Sequence, residues 1–223
     1  MMGGMELGLL VLLGAWSALD TTSVGQFMLS RPLVSGTLAG WILGDPASGL
    51  LVGALLEGLD LGGVPAGGAR LPEFGPGAVP AAFAAIALGG PGGLASGLAL
   101  GVLWSLLGRA TMDIQRRANG MLMAGAEHGA FVPRVLALRH WICVGLDGLR
   151  GAVLAGLGIL AVSVLPAGLS ELWPLGRAGT AALLLLPAAL AAGSHLRSLR
   201  TPLSRGALLV VGVLSGSALA LLF

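Results

Sequence analysis

Between residues 7 and 107 this chain strings together five apolar segments, none long enough to cross a bilayer as a straight helix. They are residues 7–19, 32–44, 47–56, 77–88 and 93–107, and Gly/Pro punctuation separates them, as at Asp45-Pro46 and Gly90-Pro91. A spanning helix needs about 20 apolar residues. Short, interrupted segments read instead as discontinuous helices and re-entrant hairpins. Non-helical backbone survives at membrane depth only when buried in protein or lining a cavity. Helix pairs with tight turns at the membrane surface would use the same segments and remain an alternative. On the hairpin reading the front half builds a substrate site and the back half anchors it.

The rest of the chain agrees with a membrane setting. Residues 151–169, 178–193 and 206–223 read as ordinary spans, the middle one holding Pro187. Hydrophobic residues make up 56% of the chain and charged ones 10%, against about 25% charged in soluble domains. The expected fold is therefore an all-α, polytopic integral membrane protein forming one membrane domain. Within it, residues 1–108 are the substrate-site region with re-entrant segments. Residues 109–150 are a polar cytoplasmic loop plus an amphipathic segment, and residues 151–223 are spanning helices.

Charge narrows the function. All 12 basic residues are arginine, and they lie at segment ends and in short loops without interleaved aromatics, so the net charge of +2 does not imply nucleic-acid binding. Two basic clusters, residues 109–134 and 195–205, favour the cytoplasmic side. That places residues 170–177 outside and sends the C-terminus outward. The lone Cys143 excludes an internal disulfide framework and a multi-cysteine metal site. Neither a His-Glu-x-x-His nor a Gly-x-Ser-x-Gly pattern is present. An intramembrane enzyme is therefore the weakest reading, and no metal or cofactor is expected. Residues 1–20 lack a basic flank and a clear small-residue cleavage site and read as a retained membrane or interfacial segment, not a signal peptide.

Glycines recur every four residues at Gly36, Gly40 and Gly44, at Gly49 and Gly53, at Gly93, Gly97 and Gly101, and at Gly212 and Gly216. Residues four apart share a helix face, and a face of small residues is where membrane helices meet. Glu57 continues the stripe of Gly49 and Gly53, so a carboxylate stands on a face turned into protein. An acid there costs at least about 2.5–3.5 kcal/mol on insertion scales, which marks it as a functional candidate. The structural alternative is pairing with Arg31 or Arg70. Asp60, three residues on, is placed to share the same cavity. Asp45 before Pro46 suits a turn cap. Asp20, Gln26, Glu57 and Glu73 supply carboxylates and an amide, groups that grip sugar hydroxyls, although many polar ligands would suit them.

These residues resemble a family. The run from Leu19-Asp20 through Gln26 to Ser30-Arg31-Pro32, the striped helix ending at Gly44-Asp45, and Gly49-xxx-Gly53-xxx-Glu57 are together similar to the N-terminal signature of mannose/sorbose-family phosphotransferase IIC subunits. The likeness is close over residues 19–57, looser to Glu73, and one of hydropathy beyond about residue 110. It implies a sugar-specific permease component in the bacterial inner membrane, paired with a IID subunit in an oligomer of IIC–IID pairs. Cytoplasmic IIA and IIB carry the phosphoryl group to a hexose-type sugar. His128, His140 and His195 are accordingly not phosphoacceptors, and the chain is not itself an enzyme. By position in the motif, Asp20, Gln26, Glu57 and Glu73 are the substrate-binding candidates, while Arg31, Gly49 and Gly53 are structural. Two other readings are a non-transporting scaffold of a regulatory phosphotransferase system and an unrelated ion-coupled transporter.

Overall fold

Glycine backbone freedom folds the front half into two helical hairpins. In the computed structural model, which describes residues 3–61, 71–124, 132–165, 173–198 and 210, every regular element is a helix. The helices are α1 (Gly4–Thr22), α2 (Pro32–Ile42), α3 (Pro46–Asp60), α4 (Phe74–Leu88), α5 (Gly90–Met123), α6 (Pro133–Ser163) and α7 (Arg177–Ser198). The α2–α3 turn passes through Gly44 at φ +81°, and the α4–α5 turn through Gly89 at +68° and Gly90 at +62°. Side chains disfavour that region. Pro46 and Pro91 follow in the first turns of α3 and α5, where a missing N–H costs nothing. Asp45 caps α3, its Oδ1 accepting from the Ser48 N–H at 3.0 Å.

The stripes explain how tightly the first hairpin closes. A Cβ at Gly36 would fall 2.9 Å from the Gly49 carbonyl oxygen and 2.9 Å from the Gly53 Cα. One at Gly53 would fall 2.6 Å from the Pro32 carbonyl oxygen. The α2 and α3 backbones therefore touch directly, the contact small residues permit between membrane helices. Gly93 and Gly97 serve the second hairpin in the same way, with Cβ positions 2.8 and 2.7 Å from the carbonyls of Ala85 and Ala81.

At the centre lies α4, which touches α1, α2, α3, α5 and α6. It is buried without a break from Phe74 to Ala82. Pro80 interrupts its hydrogen bonding from within, and Gly158 of α6 makes room for the ring, since a Cβ there would meet Pro80 Cβ at 2.5 Å.

With 11, 15 and 15 residues, α2, α3 and α4 extend only about 17–23 Å, short of a hydrocarbon core of about 30 Å. Among the described residues four helices are long and apolar enough to cross a membrane: α1, α5, α6 and α7 over Arg177–Ser194.

The expected polar loop is helical where it begins: α5 runs 34 residues to Met123, and the amphipathic segment expected after the loop belongs to α6, which starts at Pro133. Charge removes a segment from the apolar core without removing its capacity for i to i−4 hydrogen bonds, so both helices continue past it. Arg139 Nη1 donates to the Leu122 carbonyl at 2.6 Å and ties the end of α5 to the start of α6. The segment 125–131, the loop 62–69 with Arg70, residues 170–172, the basic cluster beyond residue 198 and the expected span 206–223 lie outside the described residues, Val210 apart.

Gly53→Leu is expected to lower the yield of folded, monodisperse protein severely in size-exclusion chromatography. Gly145→Leu, where a Cβ would meet nothing within 4 Å, should behave as wild type. Equal yields would show that the α2–α3 contact is not required.

Candidate functional site

At the end of α1 the chain reverses through a loop that its own acid organises. Gly25 (φ +91°), Gln26 (+55°) and Met28 (+66°) all lie in the left-handed region, which is costly for the two residues that are not glycine. Asp20, 2% exposed, offsets that strain. Its Oδ1 accepts from the Phe27 N–H at 2.5 Å and its Oδ2 from the Ser30 N–H at 2.9 Å. The loop holds Gln26 out, exposed, with no hydrogen-bond partner for its amide among the described residues.

The loop ends at Arg31, the N-cap of α2. Its Nη1 stands 3.3 Å from Glu57 Oε1 and 3.4 Å from Asp60 Oδ2. Glu57 Oε2 also accepts from the Leu33 N–H at 3.3 Å. The stripe face of α3 thus delivers Glu57 to the first turn of α2, where unpaired N–H groups and the helix dipole favour an anion. Its side chain is 15% exposed and pairs with Arg31.

Glu73 stands at the N-cap of α4 and is buried. Its backbone N–H donates to the Ser105 carbonyl of α5 at 3.0 Å. Its carboxylate is bound at both oxygens by Arg150 of α6, Nη2 to Oε1 at 2.9 Å and Nη1 to Oε2. Gly108 leaves room for it, because a Cβ there would lie 3.0 Å from Glu73 Oε2. Arg150 also reaches Asp147 Oδ1, from Nη2 at 2.8 Å and from Nε at 3.1 Å.

These elements enclose a cavity of about 590 Å³ whose polar lining includes Asp20, Gln26, Arg31, Asp60, Glu73 and Arg116. Three of the four expected binding residues, Asp20, Gln26 and Glu73, are brought together there. Glu57 is not in the lining and joins the site through Arg31. It borders a separate apolar cleft of about 460 Å³ with Leu33, Leu51, Leu55, Leu94 and Leu184. Asp147 and Arg150 escaped the sequence reading because they fell at the end of the stretch taken as polar loop plus amphipathic segment, where charge was expected. The available signal was two opposite charges three residues apart on a face shared with Cys143 and Leu154. Among the described residues no three His, Cys, Asp or Glu side chains are grouped to hold a metal.

A carboxylate has about four lone-pair positions. Asp20 is held by the backbone of Phe27, Leu29 and Ser30 and by the Ser30 hydroxyl, whereas Glu73 uses two on Arg150. Glu73 therefore keeps acceptor capacity for a ligand while its orientation is already set, and Asp20 serves chiefly to fix the loop. With the free Gln26 amide and two arginines, the cavity offers donors and acceptors at several angles, which suits a small polyhydroxylated molecule.

Known proteins share this chain's sequence and shape. The family described as the sorbose-specific IIC component of the phosphotransferase system matches residues 5–167. The sorbose-specific EIIC component of the phosphotransferase system of Klebsiella pneumoniae is 29% identical over 152 residues, 67% of this chain and 54% of the relative. The chain thus spans about half the length of that curated relative. A solved structure described only as a membrane protein superposes with a TM-score of 0.69 at 19% identity, over 100% of this chain and 96% of the other. A chain from the complex of the mannose transporter ManYZ with microcin E492 gives 0.55 at 19%, over 99% and 94%. At such identities these two likenesses speak for the fold.

Arg150→Met would leave Glu73 and Asp147 buried without a counter-charge, a loss of about 3–5 kcal/mol. It should lower the thermal midpoint of the purified protein sharply, whereas Glu73→Gln, which keeps an acceptor toward the guanidinium, should lower it less. Equal midpoints for Arg150→Met and wild type would contradict the network.

Proposed function

The chain belongs to the family of sorbose-specific IIC components of the phosphotransferase system, membrane subunits of sugar transport, and from that premise we propose that its cavity binds a hexose-type sugar for delivery to a phosphorylated IIB partner. The convergence of Asp20, Gln26, Asp60 and Glu73 on one cavity carries this reading. Sugar hydroxyls donate to the carboxylates, and the Gln26 amide and the arginine N–H groups donate to sugar oxygens. Glu57 contributes at one remove by holding Arg31.

The position of the cavity supports delivery to the cytoplasm. It lies among the C-terminal ends of α1 and α3, the N-terminal end of α4 and the half of α5 that carries Met112 and Arg116. That half of α5 and the start of α6 carry Arg109, Arg116, Arg117, Arg134 and Arg139, the charge the cytoplasmic side retains. The cavity then faces the compartment of IIA and IIB, on which the phosphoryl chemistry occurs, while this chain binds and translocates. Its setting is the bacterial inner membrane. Exposed apolar side chains on α6 and α7, among them Leu157, Leu160, Leu185 and Leu190, meet lipid and a IID subunit in an oligomer of IIC–IID pairs.

Cells expressing the chain with IID, IIA and IIB should accumulate phosphorylated, labelled sugar, with sorbose and mannose as the first probes. Gln26→Ala should weaken sugar binding about fivefold, the worth of about one neutral hydrogen bond, with membrane levels unchanged. Glu57→Gln should have a smaller effect. Docking of IIB without uptake of any tested hexose would contradict the proposal in favour of a scaffold.

A further inference from the structure

The sugar cavity leaves unexplained why two acids share one buried arginine just outside its lining. The side chains of Asp147 and Arg150 are 4% and 8% exposed, and neither lines the cavity. The guanidinium has no donor to spare for a ligand. Besides the bonds to Glu73 and Asp147, its Nη1 lies 3.3 Å from the Gly108 carbonyl and 3.3 Å from Thr111 Oγ1. The second oxygen of Asp147 is also engaged, accepting from the Ser23 hydroxyl at 2.5 Å. Ser23 directly follows α1, three residues before Gln26.

A continuous path therefore runs from Ser23 through Asp147 and Arg150 to Glu73. One end fixes the strained loop that presents Gln26, and the other fixes the carboxylate that Glu73 presents to the cavity. Stability alone is a poor reason for it. A buried ion pair is often replaceable by apolar residues without loss, and two carboxylates on one guanidinium leave a negative charge uncompensated within the network. Resting on the sugar cavity proposed above, we infer that Ser23, Asp147 and Arg150 are positioning residues that hold the Gln26 loop and the Glu73 carboxylate in fixed relation across the binding site.

The test uses the full chain in lipid nanodiscs and reads amide hydrogen exchange together with equilibrium binding of labelled sorbose, or of labelled mannose if uptake selects it. Ser23→Ala should speed exchange across residues 24–31 about tenfold. Arg150→Lys, which keeps the charge but not the fork of donors, should speed exchange both there and at 73–77. Sugar binding should weaken about fivefold in Ser23→Ala and by less than about twofold further when Gln26 is already alanine, the signature of two residues acting as one. Faster exchange confined to α6, or fully additive losses from Ser23→Ala and Gln26→Ala, would overturn the relay. Wild-type affinity in both Gln26→Ala and Glu73→Gln would instead overturn the cavity, and the positioning role would fall with it.

Discussion

Where α4, α5, α6 and the loop after α1 meet, the Arg150 guanidinium stands between Glu73 and Asp147 almost out of reach of water. Charges in such a place are tolerated only when each is paired and the remaining hydrogen-bonding positions are filled. That requirement shapes the neighbourhood. Gly108 stays bare so that Glu73 fits beside α5, the Ser105 carbonyl takes the Glu73 N–H, and Ser23 completes Asp147. Because α1, α2, α3, α5 and α6 all pack on α4, anchoring its N-cap anchors the end of the bundle where the cavity opens.

The glycine contacts run along the first hairpin from its base to its turn. Backbones that touch at Gly36, Gly49 and Gly53 leave no side chains to slide, so the first hairpin is a short rigid rod with its turn at Gly44. The polar termini of α2 and α3 are then delivered together, which brings Arg31, Glu57 and Asp60 into contact. Apolar packing sets the distances, and the polar groups at the hairpin base occupy the positions that result.

Much of this was legible because small residues and Gly/Pro turns constrain backbone directly. The stripes of Gly36, Gly40, Gly49 and Gly53 mark the surfaces that touch, and Asp45 before Pro46 marks the cap of α3. The nearness of Glu73 to Asp20 and Gln26 was legible only through likeness to a family pattern, since nothing local connects it to residues so far away in sequence. The stripe placed Glu57 on the right face of α3, yet whether that face led to a cavity or to the start of α2 depended on how the hairpin folds back. The end of α5 was read as loop because charge density separates apolar from polar surface and does not separate helix from loop. Asp147 and Arg150 disappeared into that polar average, although their spacing on a face shared with Cys143 and Leu154 was visible.

The most direct measurement is a structure of the chain with sugar bound. Density for the sugar is predicted in the cavity, with hydroxyls within hydrogen-bonding distance of Asp20, Gln26 and Glu73 and with the bonds between Glu73 and Arg150 intact. Sugar seated instead in the apolar cleft beside Glu57, or bound with Glu73 and Arg150 parted and Gln26 turned away, would contradict it.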